Sequence, residues 1–239
     1  MIKKIIKEFL KFCGYELKPI NKSIEYLDDM SLFKYENIKG SFDYDQYKRI
    51  QIEANKRKIK SSWVKKENVK FLSKYLKDNV KNLRFGICHG TRQGFEQEWF
   101  SKNLECKVIG TEISDNANEY KNTIEWDFHN VKKEWIGSVD FIYSNALDHS
   151  YDPKKCLNAW MSCIRKDGLC IIEHTSSHET SNSTDPFGAK ISKMPFLILS
   201  WGNGKFFPIE ILNAPSGNNN RDYTSFIIIK KKRWLNKII

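Results

Sequence analysis

The sequence predicts an α/β protein with a doubly wound, mostly parallel sheet of seven strands, the last of them antiparallel, behind an N-terminal helical extension. Three observations predict this class. Short apolar runs alternate with amphipathic stretches from residue 82 onward, as strands and helices do in such sheets. A loop containing several glycines follows the first of these runs. Two apolar runs joined by a short loop then close the pattern.

The N-terminal third is lysine-rich and lacks strand alternation, so we expect it to be mostly helical. Helices are predicted over residues 44–63 and 64–80. Residues 1–12 alternate charged and apolar side chains, but their apolar run is too interrupted for a signal peptide or a membrane span. We therefore divide the chain into an extension or lid over 1–80 and a main domain over 81–239. The extension is alternatively a homodimer interface or a docking surface for another partner.

The main domain begins with five predicted parallel strands, over residues 83–87, 107–111, 122–126, 139–143 and 168–173. Helices are predicted between them over 95–103 and 153–165. Two further apolar runs follow at 205–212 and 223–230. Parallel neighbours need a long crossover, and the loop between these runs is short, so we expect them to pair antiparallel. This ending distinguishes the chain from an ordinary dinucleotide-binding dehydrogenase.

Composition narrows the class of protein. A formal net charge of +11 is compatible with nucleic acid, an anionic membrane surface or a phosphorylated substrate. No arginine-rich arm is present, and lysines spread over solvated faces explain the charge equally well, so we expect no nucleic-acid partner. The six cysteines include no Cys-x-x-Cys pair. They indicate reduced, buried thiols in a cytoplasmic protein rather than disulfides or a zinc site.

Polar residues stand where successive predicted strands end. Ligands of doubly wound sheets bind at the carboxyl ends of the strands, where the strand order reverses. The glycine loop over 86–94 follows the first strand and is suited to close approach of a ligand, or is simply a turn. Glu112 ends the second strand and can accept hydrogen bonds from a ribose diol, unless it caps a helix. Asp127 follows the third and can accept from an exocyclic adenine amine, with Trp126 or Phe128 beside the ring.

The fourth predicted strand leads into Leu147-Asp148-His149-Ser150-Tyr151-Asp152-Pro153, and a turn with Gly168 precedes the fifth. With these features, residues 84–174 resemble the core of a class I S-adenosylmethionine-dependent methyltransferase. The resemblance is to the small-molecule, methyltransferase type 11-like branch, which carries a Leu-Glu-His-x-x-x-Pro-like segment at this place. It implies a Rossmann-like methyltransferase fold, S-adenosylmethionine as cofactor, and antiparallel pairing of the last two strands.

The resemblance also implies a set of cofactor-binding residues. Glu112 would hold the ribose hydroxyls, Asp127 the adenine amine, and Asn145 the methionine moiety. The methionine side of the cofactor would be lined by Gly86, His89, Gly90 and Gly94, with Arg92 facing the methionine carboxylate. The loop departs from the family pattern, which begins with an acid in or beside the first strand and has glycines at alternate positions. Cys88 and His89 occupy part of this loop instead.

Transfer of a methyl group from a sulfonium requires alignment of donor and acceptor, and a base if the acceptor is a hydroxyl. His149 is the first candidate for this base because histidine titrates near neutral pH. Its alternative role is to cap the following helix, and Asp148 is the second candidate. A metal site on Glu173 or Asp148 with His174 and His178 is the other option at this edge. The serine- and threonine-rich run there indicates a loop, so we expect no metal.

The resemblance and the composition together predict O-methylation of a polar small molecule, such as a sugar, a sugar nucleotide or another phosphorylated metabolite. The positive charge favours a polar or anionic acceptor, and residues 175–204 are expected to form its lid. One alternative is a nucleic-acid or protein methyltransferase, against which the chain lacks an Asn/Asp-Pro-Pro-Tyr/Phe segment after the fourth strand. Another is a non-catalytic nucleoside-binding protein on the same fold.

Overall fold

The computed structural model describes residues 23–27, 29–216 and 223–232, in ten strands and five α-helices. The strands are β1 (Ile24–Tyr26), β2 (Ser31–Phe33), β3 (Phe85–His89), β4 (Lys107–Glu112), β5 (Thr123–Glu125), β6 (Val139–Ser144), β7 (Ile164–Thr175), β8 (Phe187–Gly188), β9 (Phe206–Asn213) and β10 (Thr224–Lys231). The helices are α1 (Tyr44–Arg57), α2 (Lys66–Asn79), α3 (Phe95–Leu104), α4 (Pro153–Cys163) and α5 (Met194–Gly202).

Seven strands form the main sheet, in the order β5-β4-β3-β6-β7-β10-β9. The pairs among β3 to β7 are parallel, whereas β10 runs antiparallel to both β7 and β9. The predicted doubly wound sheet with an antiparallel last strand is therefore confirmed. The chain builds outward from β3 in one direction and from β6 in the other, so the strand order reverses between these two strands. Their carboxyl ends form the crevice where such folds bind ligands.

Side chains that alternate along each strand pack into two hydrophobic layers, one on each face of the sheet. On one face, Ile142, Cys170 and Ile227 pack with buried residues of α4 and α5, including Trp160 and Ile198. On the other face, residues of the opposite pleat pack with α2 and α3; they include Phe141, Ile171, Phe226, Leu72 and Phe100. Because successive side chains of a strand point to opposite faces, nearly continuous apolar runs are what a sheet covered on both faces requires.

The N-terminal region is less helical than predicted. Residues 24–26 and 31–33 form β1 and β2, which join β8 in a three-stranded sheet. Strands of three residues are too short to show alternation, and β8 lies about 150 residues further along the chain. The helix predicted to residue 63 ends at Arg57 instead. Just beyond this helix end, the carbonyls of Lys58 and Ser61 accept hydrogen bonds from the side chain of Arg92.

Strand β7 begins earlier than predicted, at Ile164, and the helix before it ends at Cys163. A register shift opposite β6 accommodates the segment that was predicted to be a turn. A Cβ atom on Gly168 would lie 2.5 Å from the carbonyl oxygen of Asp140, so the close approach of β6 requires a glycine there.

The division at residue 80 stays a prediction. In the structure, Val69, Leu72 and Leu76 of α2 pack in the same layer as β10 and α3. The predictions for residues 1–12 and for Cys13 lie outside the described residues, as does part of the loop over 215–220. The other five cysteines carry free thiols. None of the described helices has the length and apolar character that crossing a bilayer requires.

Candidate functional site

Two adjoining cavities lie at the carboxyl ends of β3, β4 and β6. The larger has a volume of about 390 Å³ and the smaller about 50 Å³. Both are lined by Lys58, Gly90, Arg92, Ala146 and His149. The two spaces therefore form one site with a narrow part beside β4 and a wide part beside β7.

Glu112 lines the smaller cavity from the end of β4. Its Oε2 accepts a hydrogen bond from the backbone N–H of Arg92 at 2.9 Å, and its Oε1 accepts from the N–H of Ile113 at 2.9 Å. The carboxylate is therefore held by backbone donors from the loop after β3 and from its own strand end. An oriented, largely buried carboxylate of this kind can still accept hydrogen bonds from a ligand on its free lone pairs.

Asp127 lines the same cavity from the loop after β5. Its carboxylate accepts from the Tyr44 hydroxyl at 2.9 Å and from Nδ1 of His129 at 2.7 Å. Nε2 of that ring accepts from the Ser150 hydroxyl at 2.7 Å. Burial alone would raise the pKa of Asp127, but the hydrogen bonds from His129 and Tyr44 outweigh it and lower the pKa below its usual value. Asp127 therefore stays ionised at neutral pH.

Helix α1 covers the smaller cavity and contributes Tyr47, Gln51, Ala54 and Asn55 to its wall. The side-chain Oδ1 of Asn55 is buried and has no hydrogen-bond partner. A buried acceptor without a partner costs free energy, so this atom is suited to receive a donor from a ligand in the cavity. Phe128 provides an apolar wall beside Asp127.

The glycine loop divides into cavity-lining and packing positions. Gly90 lines both cavities and has a φ of +73°. A Cβ atom on this residue would lie only 2.5 Å from the Cβ atom of Ala146, so a larger residue does not fit there. Gly94 begins α3 with a φ of +82° and packs against Gln97. Gly86 packs within the sheet, where a Cβ atom would lie 2.3 Å from the ring of Phe141. Neither Gly86 nor Gly94 is among the residues that line the two cavities.

His89 is a core residue of β3. Its ring stacks on Trp160 with centroids 5.0 Å apart, and its Nδ1 lies 2.7 Å from the Thr111 hydroxyl. Burial, together with nearby His129, lowers the pKa of His89 to about 3. The ring is therefore neutral at physiological pH. The structure does not bring it to either cavity, in contrast to the position expected on the methionine side.

Arg92 lines both cavities, but its guanidinium Nη1 donates to the carbonyls of Lys58 at 3.2 Å and Ser61 at 2.8 Å. The side chain therefore ties the glycine loop to the end of α1. In this arrangement the guanidinium is occupied by backbone carbonyls beyond α1, whereas the resemblance implied that it would face the methionine carboxylate of the cofactor.

The larger cavity is lined by Asn145, Asp148 and His149, which follow β6. Nδ1 of His149 lies 2.8 Å from the carbonyl oxygen of Thr184 and 3.5 Å from Oδ1 of Asp185. A carbonyl oxygen only accepts, so Nδ1 carries a proton, and in the neutral ring Nε2 then holds the lone pair. Oδ1 of Asp148 is buried without a partner. The loop therefore presents two proton acceptors in this part of the site.

One group among the described residues has the proximity that metal ligation requires: ligand atoms of Asp148, His149 and Asp185 lie within 4.8 Å of one another. The histidine considered from sequence, His174, is directed elsewhere. Its Nε2 donates to the Ala189 carbonyl at 2.9 Å, and its ring stacks on Tyr223. Of the two histidines considered for a metal site, His178 lines the larger cavity.

Several residues of the site were not found from the sequence. They come from α1 and the segment that follows it, from the loop after β3 and the start of α3, and from the segment after β7. They include Gln51, Asn55, Lys58, Trp63, Thr91, Glu96, Ser177 and Asp185. Only Gln51 and Asn55 carried a local signal, since polar residues four apart share one helix face. The others lie in loops or, for Glu96, at the start of a helix, and their neighbours depend on the folded chain.

No protein-family model matches the sequence, and no curated protein matches it. Solved structures are similar in fold. A 1,6-didemethyltoxoflavin N1-methyltransferase of Burkholderia thailandensis, bound to 1,6-didemethyltoxoflavin and S-adenosylhomocysteine, aligns with a TM-score of 0.62 and 11% identity over 89% of this chain and 100% of its own. A plantazolicin methyltransferase bound to S-adenosylhomocysteine aligns with a TM-score of 0.56 and 16% identity, over 78% and 96%.

A third similar structure is an S-adenosylmethionine-dependent methyltransferase from Archaeoglobus fulgidus. It aligns with a TM-score of 0.52 and 15% identity, over 80% of this chain and all of its own. At such low identity these alignments show a shared arrangement of strands and helices and nothing finer. That arrangement, with its antiparallel last strand, agrees with the sheet order found here. The protein has the fold of the class I S-adenosylmethionine-dependent methyltransferases.

Proposed function

We propose that the protein is an S-adenosylmethionine-dependent methyltransferase that acts on a small polar molecule. One observation carries this proposal: a narrow cavity with two fixed carboxylates, Glu112 and Asp127, opens into a wider one that presents Asp148 and His149. The first carries the carboxylates that a nucleoside would contact, and at about 50 Å³ it would admit one only when α1 moves outward; the second has room for an acceptor. They meet at Gly90 and Ala146, where the reacting groups would have to come together.

The residues present fit this cofactor. Asn55 offers a buried oxygen without a partner in the narrow cavity. A Cβ atom on Gly90 would displace the Ala146 side chain, which lines both cavities, so the glycine preserves the shape of their junction. When bound, S-adenosylmethionine supplies an activated methyl group on a sulfonium. The chain's own task is then to hold the nucleoside, admit the acceptor and remove a proton.

At the nucleoside end, Glu112 would accept hydrogen bonds from the ribose hydroxyls, and the ionised Asp127 would accept from the adenine amine beside Phe128. Both carboxylates are pre-oriented by hydrogen bonds from the protein, so binding does not need to order them. We propose that α1, which covers this cavity, acts as its lid.

At the acceptor end, His149 would act as the general base. Its Nδ1 proton is held by the Thr184 carbonyl, which orients the ring and leaves Nε2 to accept the proton of an acceptor hydroxyl as that oxygen attacks the methyl group. Asp148 is the second candidate for this role, since its buried Oδ1 has no partner.

For the acceptor, we propose a hydroxyl-bearing metabolite such as a sugar, a sugar nucleotide or another phosphorylated compound. The wide cavity supports a polar molecule, because Ser61, Ser62 and Ser177 line it together with Lys58. The segment after β7 contributes Ser177, His178 and Asp185, which supports its role as part of an acceptor lid.

Binding of S-adenosylhomocysteine, measured by calorimetry, tests the cofactor assignment. Wild-type protein should bind it, and Glu112→Ala should weaken binding at least tenfold, or about 1.4 kcal/mol, because two ribose hydrogen bonds lose their acceptor. Glu119→Ala is the matched control, since Glu119 is an exposed acid in the loop that follows β4. A wild-type protein that does not bind the ligand would overturn the proposal.

A further inference from the structure

A buried acid on the wall of the larger cavity has no role in the function proposed so far. Glu96 lies in the first turn of α3, two residues after Gly94, and is 5% exposed. Its side chain lines the cavity beside the glycine loop. Oε2 is buried and has no hydrogen-bond partner. A carboxyl group in this position is costly to ionise unless a cation or donors meet it.

The positive charge of Arg92 lowers the pKa of Glu96, but the Arg92 guanidinium donates its hydrogen bonds to the carbonyls of Lys58 and Ser61. An ammonium group, which donates three hydrogen bonds and carries the opposite charge, would satisfy the unpartnered Oε2 of Glu96.

The groups around Glu96 keep it protonated when the cavity holds no cation. Burial is the main cause that raises its pKa, to about 8; Glu173 and Glu112 act in the same direction, whereas its own backbone N–H and Arg92 act in the opposite one. The ionisable groups that face Glu96 from the packed elements are Cys88 on β3, Glu112 on β4, Tyr143 on β6, Glu173 on β7 and Arg92 in the loop. Four of these favour the neutral acid through negative or potentially negative charge, and of the five only Arg92 opposes them.

We propose that Glu96 binds, as a carboxylate, the α-ammonium group at the amino-acid end of S-adenosylmethionine. The inference rests on the proposed function. The family pattern places an acid in or beside the strand that corresponds to β3, and this chain has none there. Glu96 would supply that acid from α3 instead. Because the acid is neutral beforehand, binding of the ammonium group releases a proton.

Calorimetry with two ligands tests this assignment without any turnover. S-adenosylhomocysteine carries the ammonium group, whereas 5′-deoxy-5′-methylthioadenosine has the same nucleoside without the amino-acid end. At about pH 7, in buffers of different ionisation enthalpy, the wild type should release close to one proton with the first ligand and none with the second. Its affinity for the first should rise up to about tenfold per pH unit between about pH 6 and 8.

The variant Glu96→Gln keeps the shape of the side chain and removes its charge. At about pH 8 it should bind S-adenosylhomocysteine at least tenfold more weakly than the wild type, release no proton, and bind the methylthio compound unchanged. Glu98→Gln is the matched control, because Glu98 lies in the same turn of α3 and forms an exposed pair with Lys102. This control should match the wild type in every titration.

Two results would overturn the inference: unchanged affinity and proton release in Glu96→Gln, or equal weakening of both ligands. Failure of the proposed function looks different. In that case the wild type binds neither compound. If the wild type binds and Glu112→Ala weakens binding while Glu96→Gln does not, the inference alone fails.

Discussion

The loop after β3 shows how single residues set the shape of the site. Gly90 and Arg92 both adopt positive φ angles, of 73° and 45°, so the loop turns tightly at the end of the strand. The turn aims the Arg92 N–H at Glu112 and its side chain at the carbonyls beyond α1. A glycine is required at position 90 for a second reason, the contact with Ala146. One residue therefore carries both a backbone and a packing constraint.

Gly90→Ala separates these two constraints when it is compared with Gly40→Ala. Gly40 has a similar φ of +75° but no neighbouring atom within 4 Å of a Cβ position. Gly40→Ala should cost about 1 kcal/mol of unfolding free energy for the left-handed backbone alone. Gly90→Ala should cost about 1–3 kcal/mol more through overlap with Ala146, and should weaken S-adenosylhomocysteine binding. Urea unfolding and calorimetry measure both, and equal costs would contradict the packing argument.

His149→Ala tests the proposed base. With labelled S-adenosylmethionine and a panel of hydroxyl-bearing metabolites, methyl transfer should fall by about 10²–10⁴-fold, the usual contribution of a positioned base. Affinity for S-adenosylhomocysteine should stay within about threefold of the wild type. His149→Asn, which keeps a donor for the Thr184 carbonyl but cannot take up a proton, should lose a similar share of turnover. If turnover by His149→Ala equals that of the wild type, the histidine serves only to fix the segment around Thr184.

At the scale of elements, helix α1 connects parts of the chain that are far apart in sequence. The Tyr44 hydroxyl donates to Asp127, the Tyr47 hydroxyl donates to the His149 carbonyl at 3.1 Å, and the Gln51 amide donates to the Thr184 carbonyl at 3.1 Å. One face of this helix therefore contacts the loops after β5, β6 and β7 at once. A ligand in the smaller cavity would lie beneath that face.

Amide hydrogen exchange checks the role of α1 as a lid. Saturating S-adenosylhomocysteine should slow exchange over residues 44–57 at least tenfold, because opening of the helix would have to break ligand contacts as well as its own. Helix α2, which packs on the sheet away from the cavities, provides the internal control and should change little. Equal protection of both helices, or none in α1, would argue against a lid.

At the scale of the whole molecule, buried ionisable groups set the response of stability to pH. Burial raises the pKa of Glu96 to about 8 and that of Glu173 to about 7. It lowers the pKa of His89 to about 3 and that of His174 to about 4. The acids favour folding most below their ordinary pKa of 4.5, and this contribution is lost as pH rises through 7 and 8. The histidines favour folding above 6.5, and theirs is lost as pH falls toward 4 and 3.

The unfolding free energy of the unliganded protein should therefore decline from about pH 7 to 8, where the histidines of the unfolded chain are already mostly neutral and its acids have lost protons that the native acids still retain. Glu173→Gln should remove part of this decline, whereas the exposed Glu119→Gln should not change it. Urea titrations across this range measure the slopes. A wild-type stability that rises over the same interval, or parallel curves for Glu173→Gln and wild type, would contradict the assignment.

Local patterns were sufficient for most of the main sheet. The apolar runs near 85, 109 and 141 became β3, β4 and β6, and the short final loop implied the antiparallel β10, as the structure confirms. They failed where an element depends on distant partners. The pair β1 and β2 joins β8 in one sheet. Helix α1 ends just before the Lys58 and Ser61 carbonyls, which accept hydrogen bonds from Arg92.

The sequence by itself determined the class of fold and the succession of the main-sheet strands along the chain, because periodicity and loop length are properties of neighbouring residues. It also placed Glu112, Asp127 and His149 at strand ends that the structure brings to one site. Only the tertiary structure decided that His89 is buried against Trp160 and that Glu96 reaches the cavity wall. Which side chains share a cavity depends on packing between separate elements, and no local pattern records that packing.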